Sequence, residues 1–241
     1  LLLFIFYHIT GFWHVPDKKE KSSETEDKKE KSSIKDIFTD KGVWLVSINI
    51  FMIYCLYSGL KYLVPFLREA YSIPAALASA YGIINMYGLK MVGGPIGGII
   101  SDKVTHSATK FIRIMFVISA VSLGAYTLLP HGSMSVYVTM IISLVISAFV
   151  FCMRAIFFAP MDEINVPKQL TGAAMSLGSF IGYLPGAFIA IIYGRILDTN
   201  PGISGYMKVF MIMATIAVVG FFISCFLIKE IKKRQTAEEI K

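Results

Sequence analysis

Six apolar stretches set the terms for this chain, because a run of about 20 such residues crosses roughly 30 Å of hydrocarbon as a helix. They fall at 42–65, 75–101, 109–129, 134–159, 169–193 and 206–228. With 55% hydrophobic residues and a mean hydropathy of +0.64, the chain is too apolar for a domain that keeps its whole surface wet. The bilayer is its expected solvent. There, backbone groups must be satisfied within each segment, so 42–228 is expected to form an all-α, six-helix transmembrane bundle. Residues 1–13, LLLFIFYHITGFW, cover about half a span and read as the end of a truncated helix. Residues 14–41, with DKKEKSSETEDKKEKSSIKD at their centre, read as a solvated linker, and 229–241 as a polar tail.

The net charge of +7 is distributed as membrane topology distributes it, which argues against nucleic acid as a partner. Lysines crowd the linker and the tail, with Lys103, Lys110 and Arg113 between the second and third spans and Lys168 after the fourth. The alternate connections carry only Arg68, Arg195 and Lys208, so the linker and the carboxyl terminus are expected in the cytoplasm of a multi-pass plasma-membrane protein. Cys55, Cys152 and Cys225 are scattered in separate spans, which implies neither a disulfide framework nor a metal site. The spans lack Asp, Glu and His before their cytoplasmic ends. Without bases or ligands an enzyme is not expected, and no cofactor is implied. His106 and His131, in connections, are expected as solvated imidazoles.

Charge inside the spans is the more informative signal. Lys90 lies roughly 22 Å along its helix, and a cation at that depth costs about 3 kcal/mol or more unless it faces protein or water. It is a candidate binding residue; the alternative is a structural lysine bonded to helix carbonyls or to a carboxylate outside this chain. Arg154, in FVFCMRAIFFAP, carries the same argument, with snorkelling to the near end as the alternative. Lys61 stands two turns after Tyr54 with Tyr57 between on the same face. Tyr81 and Asn85 precede Lys90, Ser143 and Ser147 lead toward Arg154, and Tyr183 closes a polar face on the fifth span. Each of these side chains also has an ordinary packing role open to it. Taken together, cations without carboxylates imply a positive cavity and a small anionic substrate.

Glycine supplies the remaining pattern. Gly93, Gly94, Gly97 and Gly98 form overlapping small-xxx-small faces on the second span, and Ala174, Gly178, Gly182 and Gly186 form another on the fifth, with Pro95 and Pro185 permitting bends. INVPKQLTG is expected to turn the fourth and fifth spans into an antiparallel packed pair.

The stretch GGIISDKV resembles a signature of the major facilitator superfamily, in which Gly-x-x-x-Asp-Arg/Lys closes the second helix of each half; Gly98, Asp102 and Lys103 match. The resemblance implies one half of a twelve-helix fold. Residues 1–13 would then end the first half's sixth helix, the charged linker would be the hinge, and Asp102 would latch the cytoplasmic gate across a helix interface. A second stretch, EINVPKQLTGAAMSLGSFIGYLPG, is similar to the organophosphate-phosphate antiporters and related organic-anion carriers, matching at Glu163, Pro167, Gly172, Ala174, Gly182 and Tyr183. Where those antiporters grip phosphate with an arginine, CLYSGLK offers Tyr57 and Lys61. The implied function is a secondary active transporter moving a small organic anion by alternating access, with Glu163 at the gate. Its implied partners are the amino-terminal half, membrane lipid, and a coupling ion (proton or sodium) or counter-substrate. A proton-coupled exporter of amphipathic compounds and a non-transporting receptor or scaffold remain the alternatives.

Overall fold

The computed structural model describes residues 34–131, 133–167 and 170–239. The expectations placed on 1–13, on most of the linker and on Lys168 lie outside them. Eight helices account for the described chain. A short α1 (Ile34–Thr39) leads into α2 (Lys41–Tyr71), followed by α3 (Ala75–Thr105), α4 (Ala108–Leu128) and α5 (Val136–Ile156). After a short α6 (Pro160–Glu163) come α7 (Thr171–Thr199) and α8 (Ile203–Glu239). Apart from α1 and α6, each is long and apolar enough to cross a membrane, so the six expected spans are present.

The segment just before the first span differs from expectation: α1 lies inside the stretch read as linker. Ile37 is buried there, and the carbonyl of Phe38 accepts a hydrogen bond from Trp44 Nε1 at 2.7 Å, which ties the short helix to the start of α2.

Local chemistry fixes the helix ends. Asp40 caps α2 by accepting from the Val43 N–H at 3.0 Å, and Ser107 caps α4 by accepting from the Lys110 N–H at 3.2 Å. At the other side, α2 stops at Ser72 and α3 at His106, both in the left-handed region with φ of 48° and 50°. Pro201 and Gly202, the latter at φ 78°, turn the chain into α8, where the Gly205 backbone rests against the Asn200 carbonyl.

α2 is the hub of the bundle. It packs against α5, α7 and α8; α4 lies between α5 and α8, and α3 sits on α5 at the periphery. Of their most apolar windows, 61% is buried in α2 and only 17% in α3. Among the described residues α3 is thus the least buried of the six spans. The antiparallel pairing expected of the fourth and fifth spans is replaced by packing of α7 along α2. Gly178 leaves room for Met161 of α6, Gly182 for Ile50 and Gly186 for the Tyr54 ring, so the small-residue face of α7 is spent on α2 and α6 rather than on α5.

One end of the bundle is tied by Arg234 of α8. Its Nη2 meets Asp40 Oδ1 at 2.7 Å, its Nε meets Glu230 Oε1 at 3.3 Å, and its Nη1 donates to the Ile164 carbonyl at 3.1 Å. Burial alone would push the Asp40 carboxyl up, but the Arg234 hydrogen bond and charge, with the Val43 and Gly42 N–H groups, hold it below the usual carboxylate value. At the opposite end His131 is not a solvated imidazole. It is half-buried, its Nε2 is 2.7 Å from the Tyr126 carbonyl, and its ring packs edge-on against Phe66 and Tyr126 with centroids 5.0 and 4.9 Å away. An aromatic cluster with Phe210 closes that end, a burial that the turn composition alone does not announce. His106 is exposed, as expected.

Candidate functional site

Where α2, α5 and α7 meet, aromatic rings surround a guanidinium. The Arg154 Cζ lies 4.1 Å from the Tyr57 ring centroid, 5.4 Å from that of Phe157 and 5.6 Å from that of Tyr54. Tyr183 completes the wall, edge-on to Tyr54 at 5.0 Å and 6.3 Å from Phe157. Helical spacing explains the convergence. Tyr54 and Tyr57 stand three residues apart on α2, while Phe151 and Phe157 bracket Arg154 at three residues either side. Among the described residues no carboxylate pairs with Arg154, and its buried Nε has no hydrogen-bond partner. Its guanidinium is therefore stabilised by ring faces and keeps donors for something else. Phe157 and Phe151 are the site residues that the sequence reading passed over, although their spacing from Arg154 was the available signal.

The other candidates divide. Lys90 is exposed at the midpoint of the 31-residue α3. Lys61 is exposed in a short 3₁₀ turn, Leu60–Tyr62, that interrupts α2 one turn beyond Tyr57. Tyr81 and Asn85 do not join the cage. Tyr81 is buried with its hydroxyl 2.7 Å from Ser143 Oγ, and Asn85 is fully buried with both amide atoms unpartnered. Both therefore lie within the bundle, and Ser143 and Ser147 turn away from Arg154 to bond α3 and their own helix.

The glycines of α3 separate into two stripes. Gly93 and Gly97 lie against the α5 backbone, where a Cβ on Gly93 would be 3.2 Å from Phe151 C and one on Gly97 2.8 Å from Cys152 O. Gly94 and Gly98 have no such neighbour within 4 Å, and they share a four-residue spacing with exposed Lys90 and exposed Asp102. Lys103 is exposed beside Asp102 in a π-turn, Ser101–Thr105. Glu163 is engaged elsewhere. Its carboxylate accepts hydrogen bonds from the Ala108 N–H, from Ser107 Oγ at 3.1 Å and from the Thr109 N–H at 3.4 Å, so it caps the start of α4 from a different segment.

These features define a polytopic membrane bundle with an arginine set among aromatic rings and a largely exposed helix, α3. Residues 1–191 match the sequence model of the Major Facilitator Superfamily, and the chain belongs to that superfamily of membrane transporters. It is 47% identical over 239 residues to Inner membrane protein YihN of Escherichia coli K12, a match covering 97% of this chain and 56% of that protein. It is 26% identical over 226 residues to Inner membrane protein YqcE of the same organism, covering 92% and 53%. An uncharacterized protein of Mycoplasma pneumoniae is 25% identical over 126 residues, covering 48% and 56%. The chain thus spans about half the length of the curated relatives it matches. No solved structure matches it.

Proposed function

We propose that this bundle serves as one half of a secondary active transporter that moves a small organic anion by alternating access, with the Arg234 end in the cytoplasm. The observation that carries the reading is Arg154: a guanidinium in an aromatic recess, with no internal carboxylate partner among the described residues. A cation so placed favours an anion strongly, because the low dielectric around it magnifies attraction and the ring walls exclude competing water.

Lys90 supplies a second positive charge from the uncovered face of α3, where the other half would pack and a watery chamber would form. Tyr54, Tyr57 and Tyr183 line the substrate, and Lys61 guards the outer approach. Asp102 and Lys103, exposed four and five residues past Gly98, latch the cytoplasmic gate against the amino-terminal half. Glu163 contributes to that gate by holding α4 to the α5–α7 connection. Transport is driven by a proton, a sodium ion or a counter-substrate.

The test is counterflow in proteoliposomes of the complete protein against a panel of small organic anions, cations and neutral solutes. Exchange of one anion class, lost in Lys90→Gln, is the expected outcome. Exchange confined to neutral or cationic amphipaths would reassign the protein to export of such compounds.

A further inference from the structure

At the Arg234 end, a cleft of about 140 Å³ opens between the first turn of α4 and the last turns of α8. Its mouth carries Lys110, Lys232 and His106, its wall is Ile228 and Ile231, and Glu163 lies at its floor. The charges are not equivalent. Glu163 is spent on the Ser107 hydroxyl and on the Ala108 and Thr109 N–H groups, and Ser107 Oγ accepts from the Lys110 N–H. The helix start therefore has no free donors of its own in its first turn. The two lysine ammonium groups, by contrast, are exposed and form no ion pair among the described residues.

Depth distinguishes this cleft from an ordinary polar rim. Lys110 stands one residue before the apolar run of α4 begins at Phe111, and Lys232 one turn beyond the end of the apolar run of α8 at Ile228. Both ammonium groups thus sit at headgroup level. Below Lys110 on the same helical stripe lie the exposed apolar side chains Ile114, Val117 and Val121, while the stripe below Lys232 is largely packed, with Ile228 buried and Cys225 and Phe221 half-buried. The surface offers a positive mouth between two packed helices, above an exposed apolar track on α4.

We propose that this cleft binds the headgroup of an anionic phospholipid, with the phosphate held by Lys110 and Lys232 and an acyl chain lying along the exposed Ile114, Val117 and Val121 of α4. The apolar track on α4 is what selects a lipid over a free phosphate. The arrangement is independent of the transport recess, which lies among α2, α5 and α7, so either proposal survives failure of the other. An anionic lipid docked here would brace α4 against α8 at the end where Glu163 and Arg234 already join separate segments.

The complete protein, purified in mild detergent, is titrated with phosphatidylglycerol and separately with phosphatidylcholine, and bound lipid is counted by native mass spectrometry. A lysine at a membrane surface contributes about a five-fold change in affinity for anionic lipid, so Lys110→Ala with Lys232→Ala is expected to weaken phosphatidylglycerol retention by about 25-fold. Lys229→Ala with Lys233→Ala, on the same helix but outside the cleft lining, removes the same surface charge and is expected to change retention several-fold less than the cleft variant does. Arginine at 110 and 232 restores binding. Equal retention of the two lipids, no loss in the cleft variant, or displacement of the lipid by inorganic phosphate would each overturn the proposal, the last by making it a small-anion site.

Discussion

Arg154→Gln is expected to lower kcat/KM for the proposed anionic substrate by about a hundred-fold. A charge-assisted hydrogen bond is worth about 1.5–3 kcal/mol, and glutamine removes the charge while keeping only a neutral amide. Folding should change by less than about 1 kcal/mol, because Arg154 makes no ion pair whose partner would be stranded in a buried site. Arg154→Lys should fall between, since an ammonium keeps the charge but loses the planar fork and the face-on contact with Tyr57. Uptake kinetics in proteoliposomes, paired with thermal denaturation of the purified complete protein, separates these effects. A large loss of stability with unchanged kinetics in the folded fraction would make Arg154 a packing residue.

The second large effect belongs to Gly97. A valine there would put its Cβ only 2.8 Å from the Cys152 carbonyl oxygen, inside normal contact distance, and a backbone oxygen cannot rotate aside. Either α3 lifts off α5 or the helix distorts; overpacking of this kind costs on the order of 3 kcal/mol. Gly124→Val serves as the comparison, because a Cβ at Gly124 meets nothing within 4 Å. Gly97→Val is therefore expected to lower the denaturation midpoint of the complete protein clearly, with Gly124→Val close to unchanged. Since α3 carries both Lys90 and Asp102, displacing it should also impair transport in whatever protein remains folded.

Sequence reading found the spans because hydrocarbon demands a long apolar run whatever the tertiary fold. It drew their ends too short: helices continue past 65, 101, 193 and 228 to Tyr71, Thr105, Thr199 and Glu239. Apolarity stops at the edge of the hydrocarbon, while backbone hydrogen bonds carry the helix onward into water. Arg154 was visible as a charge in an apolar run. Tyr81 and Asn85 were harder, because the azimuth of a side chain depends on which face of α3 meets α5, and the π-turn Ile84–Gly88 shifts the helical phase at Asn85. The two glycine stripes look alike in the sequence, and only packing shows that Gly93 and Gly97 are occupied while Gly94 and Gly98 are free of neighbours among the described residues. The partner of Glu163, a helix start 55 residues away, has no local signature at all.

In the transporter proposed above, the cations of this half face a watery chamber. Labelling at position 90 tests it most directly: Lys90→Cys is placed in the complete protein with Cys55, Cys152 and Cys225 replaced by alanine, and intact membranes are treated with a charged thiosulfonate. The account predicts rapid modification that slows when the transported anion is present. Modification only by a lipid-soluble maleimide, unaffected by any anion, would put that side chain among acyl chains and contradict it.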